Sequence, residues 1–330
     1  MPVAPMPKPT STIGGLDMLR LLAIVMVTTK HALSLNDHDE WTRFGTLGIG
    51  TLGVAIFLGI SALLASVSTR DAVPWLAKRL LRLYPAYWLT MIFSFVIVWF
   101  VGYKPFDTFQ IIAQMLGVGM FTHGDKLINV PTWFISVILI CYLVLFLGKL
   151  TRRPLAINLL MLAIIIPCVA VPGLSWPCMM RLTTFFTVAT LTLVIPAARR
   201  PQGFLASGLA VSLASPISVA YAYTGITLIL IGIFALIPVT PRFTQVVSRY
   251  SFEYYLIHGI FLIGAFSMLR GRPMVAFVIG VMSAAVAAVI LHHLAAWITG
   301  HITSSLRRPS WIPSRGTLAA PGLEGCRANP

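Results

Sequence analysis

Charge is what this 330-residue sequence has least of. Only 10% of its residues are charged, and acidic residues number nine. A water-soluble domain carries about 25% charged residues, so a chain this poor in charge and 58% hydrophobic could not cover a soluble surface. The same hydrophobicity excludes disordered and collagen-like chains. Cysteine is sparse as well. Cys141 and Cys168 fall in apolar runs, Cys178 at the edge of one and Cys326 near the C-terminal end. No two form a CxxC pair, so neither a disulfide framework nor a zinc site is expected. No His and carboxylate pair has ligand spacing on one helix face, so no metal is expected. The formal net charge of +15 would suggest nucleic acid in a soluble protein. Beside a mean hydropathy of +0.88 it reads instead as loop charge, with membrane lipids and no nucleic acid as partners.

What is abundant is long apolar runs. A spanning helix needs about 20 such residues, and nine runs qualify: Leu16–Leu35, Leu47–Val67, Leu83–Gly102, Trp133–Leu147, Leu155–Val171, Leu182–Ala198, Ile217–Ile237, Phe252–Leu269 and Met274–Ile298. Gly203–Ala214 supplies a short tenth. Gln110–Phe121 is too short to cross and reads as a re-entrant or interfacial helix. With the N-terminus in the cytoplasm, the inner segments hold sixteen Lys and Arg and the outer ones six, the bias of the positive-inside rule. The expected fold is all-α: a polytopic transmembrane helical bundle of about ten spans with both termini cytoplasmic. Residues 1–14 read as a flexible cytoplasmic arm, 15–299 as the transmembrane domain and 300–330 as a disordered cytoplasmic tail. The first run contains Arg20, Lys30 and His31 and has no small-residue cleavage site, so it is not a signal peptide.

Ionisable residues inside a bilayer are costly and therefore functional candidates. The first span concentrates them in Asp17, Arg20, Lys30 and His31. Arg20 and His31 are eleven residues apart, roughly three turns plus about 20°, with a rise of about 16 Å. Both face one side of the helix; Asp17 can pair with Arg20, and Lys30 points elsewhere. Packing and anchoring would account for these residues too, but histidine is the side chain suited to proton transfer near neutral pH. A second cluster, Lys78-Arg79-Leu80-Leu81-Arg82-Leu83-Tyr84-Pro85-Ala86-Tyr87-Trp88, sets Arg79 and Arg82 one turn apart. Positive-inside charge with an aromatic belt explains each Arg singly; as a pair they can hold phosphate oxygens.

Four segments, in order, give the chain its resemblance to the acyltransferase 3 family of bacterial membrane O-acyltransferases acting on surface glycans. LDMLR through Lys30-His31-Ala32 is similar to the family's opening Arg, ten residues, His. Gly48–Ser61 resembles its glycine-rich second helix, Lys78–Trp88 its Arg-x-x-Arg with Tyr-Pro-Ala-Tyr-Trp, and Ser251–His258 its late Tyr-Leu-x-His. Two positions depart. Ala62 replaces the expected glycine, and in Trp133–Tyr142 Ile138 stands where the family has glutamate, leaving that glutamate's role without a carrier.

The resemblance implies transfer of an acyl group, expected to be acetyl, from cytoplasmic acyl-CoA to a hydroxyl of a cell-surface or lipid-linked glycan at the inner membrane. No permanently bound cofactor is expected. Arg79 and Arg82 would bind the donor and Arg20 steer it; His31 would be the base on the acceptor hydroxyl or a transient acyl carrier. Asp17, Tyr84, Trp133 and His258 are supporting candidates. His292 and His293 read as packing residues, and Asp37, His38, Asp39 and Glu40 as a solvated rim outside His31. No soluble hydrolase-like domain is expected after the last span. The alternatives are a polytopic exporter of a polysaccharide precursor, which has no need of a phosphate site, and a non-catalytic scaffold, which would not bind acyl-CoA.

Overall fold

The computed structural model describes residues 14–101, 107–123, 126–171, 177–238 and 241–306. Residues 1–13 and 307–330, which hold most of the expected arm and tail, lie outside the described residues. Among the described residues the architecture is all-α. The helices are α1 (Gly14–Ser34), α2 (Ile49–Ser66), α3 (Ala72–Val101), α4 (Thr108–Met115), α5 (Gly119–His123) and α6 (Trp133–Leu150), then α7 (Pro154–Ala170), α8 (Pro177–Val194), α9 (Arg200–Ser212), α10 (Val219–Ala235), α11 (Arg242–Met268) and α12 (Pro273–Leu306). A two-residue hairpin, Arg43–Phe44 against Leu47–Gly48, joins α1 to α2.

Each of the ten expected segments coincides with a helix, but four boundaries differ markedly. α3 starts at Ala72 and α11 at Arg242, each about ten residues before the apolar run, so Lys78, Arg79, Arg82 and Arg249 are helical instead of loop residues. Hydropathy marks only the apolar stretch of a helix, and both helices continue past it as charged turns. α8 likewise takes in Arg181, which the sequence had placed in an outer loop. α12 runs to Leu306, beyond residue 299. Among the described residues, four helices, α2, α3, α6 and α12, are long and apolar enough to cross a membrane. α9, with 13 residues, reaches about 20 Å, short of the about 30 Å of a bilayer core.

α2 lies at the centre, packed against α1, α8, α10 and α6, whereas α12 packs on α11 and α3 at the periphery. Close approach at the centre requires glycine. A Cβ on Gly53 would lie 2.7 Å from the carbonyl oxygen of Ala23 and 2.9 Å from Val27 Cγ2. Backbone cannot yield as a side chain tip can, so Gly53→Val is expected to cost at least about 1–3 kcal/mol, the range for overpacking. A lowered unfolding temperature of the detergent-solubilised protein would register it.

Two devices shape the site. Pro85 lies inside α3, where it leaves the carbonyl of Leu81 without its helical N–H; the hydroxyl of Thr299 on α12 donates to that carbonyl at 3.2 Å. Beside it, the segment expected near Gln110–Phe121 as one re-entrant or interfacial helix is two short helices, α4 and α5, with a turn at Gly117, φ +79°. The C-terminal carbonyls of α4 would be orphaned. The Tyr84 hydroxyl donates to Leu116 at 2.9 Å, the Trp88 indole to Met115 at 2.9 Å, and the Tyr87 hydroxyl to Gln114. The Tyr-Pro-Ala-Tyr-Trp run is thus the cap of a broken helix.

Candidate functional site: an arginine-lined cavity below a histidine pair

α1 and α11 run side by side in the same direction, and three successive pairs of side chains mark their seam. Near the start, Arg20 Nη1 donates to Asp17 Oδ1 at 2.7 Å and to Ser248 Oγ at 3.1 Å, while the Ser248 hydroxyl donates to Asp17 at 2.6 Å. Further along, the Thr28 hydroxyl donates to Tyr254 Oη at 3.4 Å. At the far end the rings of His31 and His258 face each other with centroids 5.2 Å apart. The helical period that set Arg20 and His31 on one side is what brings both against α11.

Arg20 opens onto a cavity of about 110 Å³. Phe57, Ser61 and Leu64 of α2, Arg79, Arg82 and Leu83 of α3, Phe134, Ile138 and Tyr142 of α6, and Ser251, Phe252 and Tyr255 of α11 complete its wall. A water needs about 10–15 Å³ on this measure, so the space holds several waters or a slender chain. One end is basic. Arg79 Nη2 donates to the Leu64 carbonyl at 3.0 Å, with its guanidinium 5.5 Å from the Tyr142 ring centre and 5.7 Å from that of Trp75. Lys149 stands 5.6 Å from the same indole and donates to the Ser68 carbonyl at 2.6 Å. Arg82 is exposed at the mouth, and both it and Arg79 lie within electrostatic reach of Arg20. Asp17 neutralises Arg20; Arg79, Arg82 and Lys149 have no carboxylate partner among the described residues. Clustered like charges repel, so the arrangement is suited to an anion with several charges.

The other end is apolar and aromatic. Phe57 and Phe134 meet the Tyr255 ring edge-on at 5.8 and 5.2 Å, and His258 follows Tyr255 by one turn of α11. Ile138, in place of the glutamate, is buried in this wall, so no carboxylate enters from α6. An elongated ligand with a polyanionic head and an uncharged tail would therefore lie with its tail directed toward the histidines.

The remaining candidates are dispersed. Trp133 begins α6 outside the cavity wall, with the Arg181 guanidinium 3.8 Å over its ring. Arg181 is a buried-side cation that the sequence reading missed, having counted it as loop charge; its place within an apolar run was the available signal. Lys149 was missed in the same way. Tyr84 serves the α4 cap. His292 Nδ1 lies 2.9 Å from Glu253 Oε1 on the α11–α12 face, away from the cavity.

The rim outside His31 is an internally paired turn. Asp39 accepts from the Ser34 hydroxyl at 2.5 Å and from Arg43 at 3.0 Å, and Lys30 stands 3.8 Å away. The Ser34 hydrogen bond first, then Lys30 and Arg43, hold its carboxyl below the usual range. A depressed carboxylate stabilises above the unfolded pKa of about 3.9 and loses that contribution as pH falls through the lower folded value. Its side chain is 41% exposed, so solvent keeps the effect small. Proteolysis within residues 35–48 is expected to rise below about pH 3.9 in the wild type, and Asp39→Asn should show the open-turn rate already at pH 7.

Among the described residues no group of His, Cys, Asp and Glu could hold a metal ion. No curated protein and no solved structure matches the chain. A family model described as an acyltransferase domain, that of acyltransferase 3, matches residues 13–187. The matched stretch contains α1 to α7, Arg20, His31, Arg79, Arg82 and most of the cavity wall, while α11 with His258 lies beyond it. It covers more than half of the chain, and the protein therefore belongs to the acyltransferase 3 family of membrane acyltransferases.

Proposed function

We propose that the protein is a multi-pass inner-membrane O-acyltransferase, of about ten spans with both termini cytoplasmic, that moves an acetyl group from cytoplasmic acetyl-CoA to a hydroxyl of a lipid-linked or cell-surface glycan. The observation that carries the reading is the polarity of one cavity: three guanidiniums at its mouth and aromatic rings at its inner end, one helical turn from two facing imidazoles. Coenzyme A has the matching polarity, with phosphates at one end and a slender thioester arm at the other. Arg79 and Arg82 hold the phosphates through paired N–H groups, and Arg20, oriented by Asp17 and Ser248, draws the donor inward. The thioester then approaches His31.

His31 acts on the acceptor in one of two ways. As a base it takes the hydroxyl proton while the oxygen attacks the thioester carbon; as a carrier it first receives the acyl group on a ring nitrogen. In either route the carbon–sulfur bond breaks and the thiol departs on the donor side. The absence of a glutamate at Ile138 favours imidazole as the proton-handling group.

Ligand binding to the folded state raises its stability by RT ln(1 + [L]/Kd). Acetyl-CoA is therefore expected to raise the unfolding temperature of the purified protein, and coenzyme A to do so nearly as well. Equal unfolding temperatures with and without saturating acetyl-CoA would contradict a donor site and favour a scaffold or an exporter.

A further inference from the structure

His258 is only 1% exposed, and one of its two ring nitrogens has no hydrogen-bond partner among the described residues. Nδ1 lies 2.8 Å from the carbonyl oxygen of Tyr255. A carbonyl only accepts, so Nδ1 carries the hydrogen and Nε2 keeps its lone pair. That lone pair is buried and unmatched, an arrangement native structures avoid. The surrounding groups are accounted for: Tyr254 stacks on the ring at 5.7 Å and 12° and accepts from Thr28 through its hydroxyl. The other imidazole at hand is His31, tilted 56° with its centroid 5.2 Å away. Two imidazoles joined by an N–H···N bond of about 3 Å have centroids about 5 Å apart.

The geometry points to His258 as the positioning residue of His31: one ring N–H of His31 donates to His258 Nε2, and the second His31 nitrogen is thereby left as the bare lone pair that meets the substrate. The chain of donors runs from His31 through His258 to the Tyr255 carbonyl. α11 is clamped at the level of His258, because the Asn129 amide donates to the Leu256 carbonyl at 2.8 Å and Gly259 abuts Pro131 closely enough that a Cβ would sit 3.2 Å from its ring. The arrangement rests on the proposal that His31 handles the acceptor proton. As the acceptor O–H bond breaks, the proton passes to the free His31 nitrogen and the oxygen bonds to the thioester carbon. The carbon–sulfur pair leaves with sulfur, which recovers the proton from His31. Throughout, the His258 lone pair holds the other His31 N–H and stabilises the transient imidazolium.

Two amides separate the nitrogens of His258. The asparagine of His258→Asn can still donate to the Tyr255 carbonyl but offers no acceptor at the Nε2 position; the glutamine of His258→Gln places a carbonyl oxygen near Nε2. Steady-state rates of the purified variants with acetyl-CoA and acceptor should show kcat of His258→Asn lowered about 10- to 100-fold, the range for losing a group that orients a functional imidazole. KM for acetyl-CoA should stay within about twofold because the arginine cluster is untouched, and His258→Gln should recover most of the rate. Unfolding temperatures of both variants report any structural loss. Equal rates for the two variants, or a faster Asn variant, would overturn the inference. Should His31→Ala itself remain active, the reading beneath it fails; should His31→Ala be inactive while both His258 variants match wild type, this inference alone fails.

Discussion

Replacing His31 with alanine is expected to lower kcat for glycan O-acylation by about 10²- to 10⁴-fold, the usual contribution of a positioned base. KM for the acyl donor should change little. His31 is not among the residues that line the cavity, so its loss should remove chemistry without removing a phosphate contact. Its ring packs against His258 at 5.2 Å without being fully enclosed, so alanine leaves space at the α1–α11 seam while the Arg20–Asp17–Ser248 contacts persist. A variant that folds, still binds acetyl-CoA and produces no ester on the glycan by mass spectrometry is the expected outcome. Normal ester levels would remove His31 from the mechanism altogether.

The second large effect is expected at the mouth. Hydrogen bonds to charged groups contribute about 1.5–3 kcal/mol each, so Arg82→Gln should raise KM for acetyl-CoA roughly 10- to 100-fold while sparing kcat at saturation. Arg82 is the cleaner probe. It is exposed and makes no hydrogen bond or ion pair among the described residues, whereas Arg79 also holds the Leu64 carbonyl and the Trp75 and Tyr142 rings. Arg79→Gln should therefore raise KM and lower the unfolding temperature together. The weakening in both variants should be accompanied by a shallower dependence of KM on salt, because exposed charge interactions are screened over about 8–10 Å. An Arg82→Gln protein with unchanged KM would detach the phosphate site from this cavity.

The parts of this arrangement that were legible in the sequence are those set by local period. A spacing of eleven positions places Arg20 and His31 on one face of α1, and a spacing of three between Asp17 and Arg20 gives the 2.7 Å ion pair. A spacing of three positions between Arg79 and Arg82 gives two guanidiniums on one wall. What period cannot express is the register between helices distant in sequence. That Ser248 completes the Arg20 contacts and that His258 meets His31 follow from α1 and α11 lying parallel, more than 220 residues apart. Hydropathy also misjudged charged helix ends. It assigned Arg79 and Arg82 to a loop although they are fixed on α3, and it left Arg181 outside α8 although it lies over Trp133. Tyr84 shows a third limit. Its motif made it a supporting candidate; its hydroxyl donates to a carbonyl at the end of α4, a partner visible only once α4 and α5 are placed.

Family membership establishes a membrane acyltransferase domain; the donor, the acceptor and the side of entry are what we propose. The most direct test uses inverted membrane vesicles, which present the cytoplasmic face outward, supplied with acetyl-CoA labelled in the acetyl group. The expected result is alkali-labile label appearing on a glycan or lipid-linked saccharide with wild-type protein, and its loss with His31→Ala at equal expression. Equal label in both kinds of vesicle, or none with the wild type in the presence of its acceptor, would contradict transfer through this site.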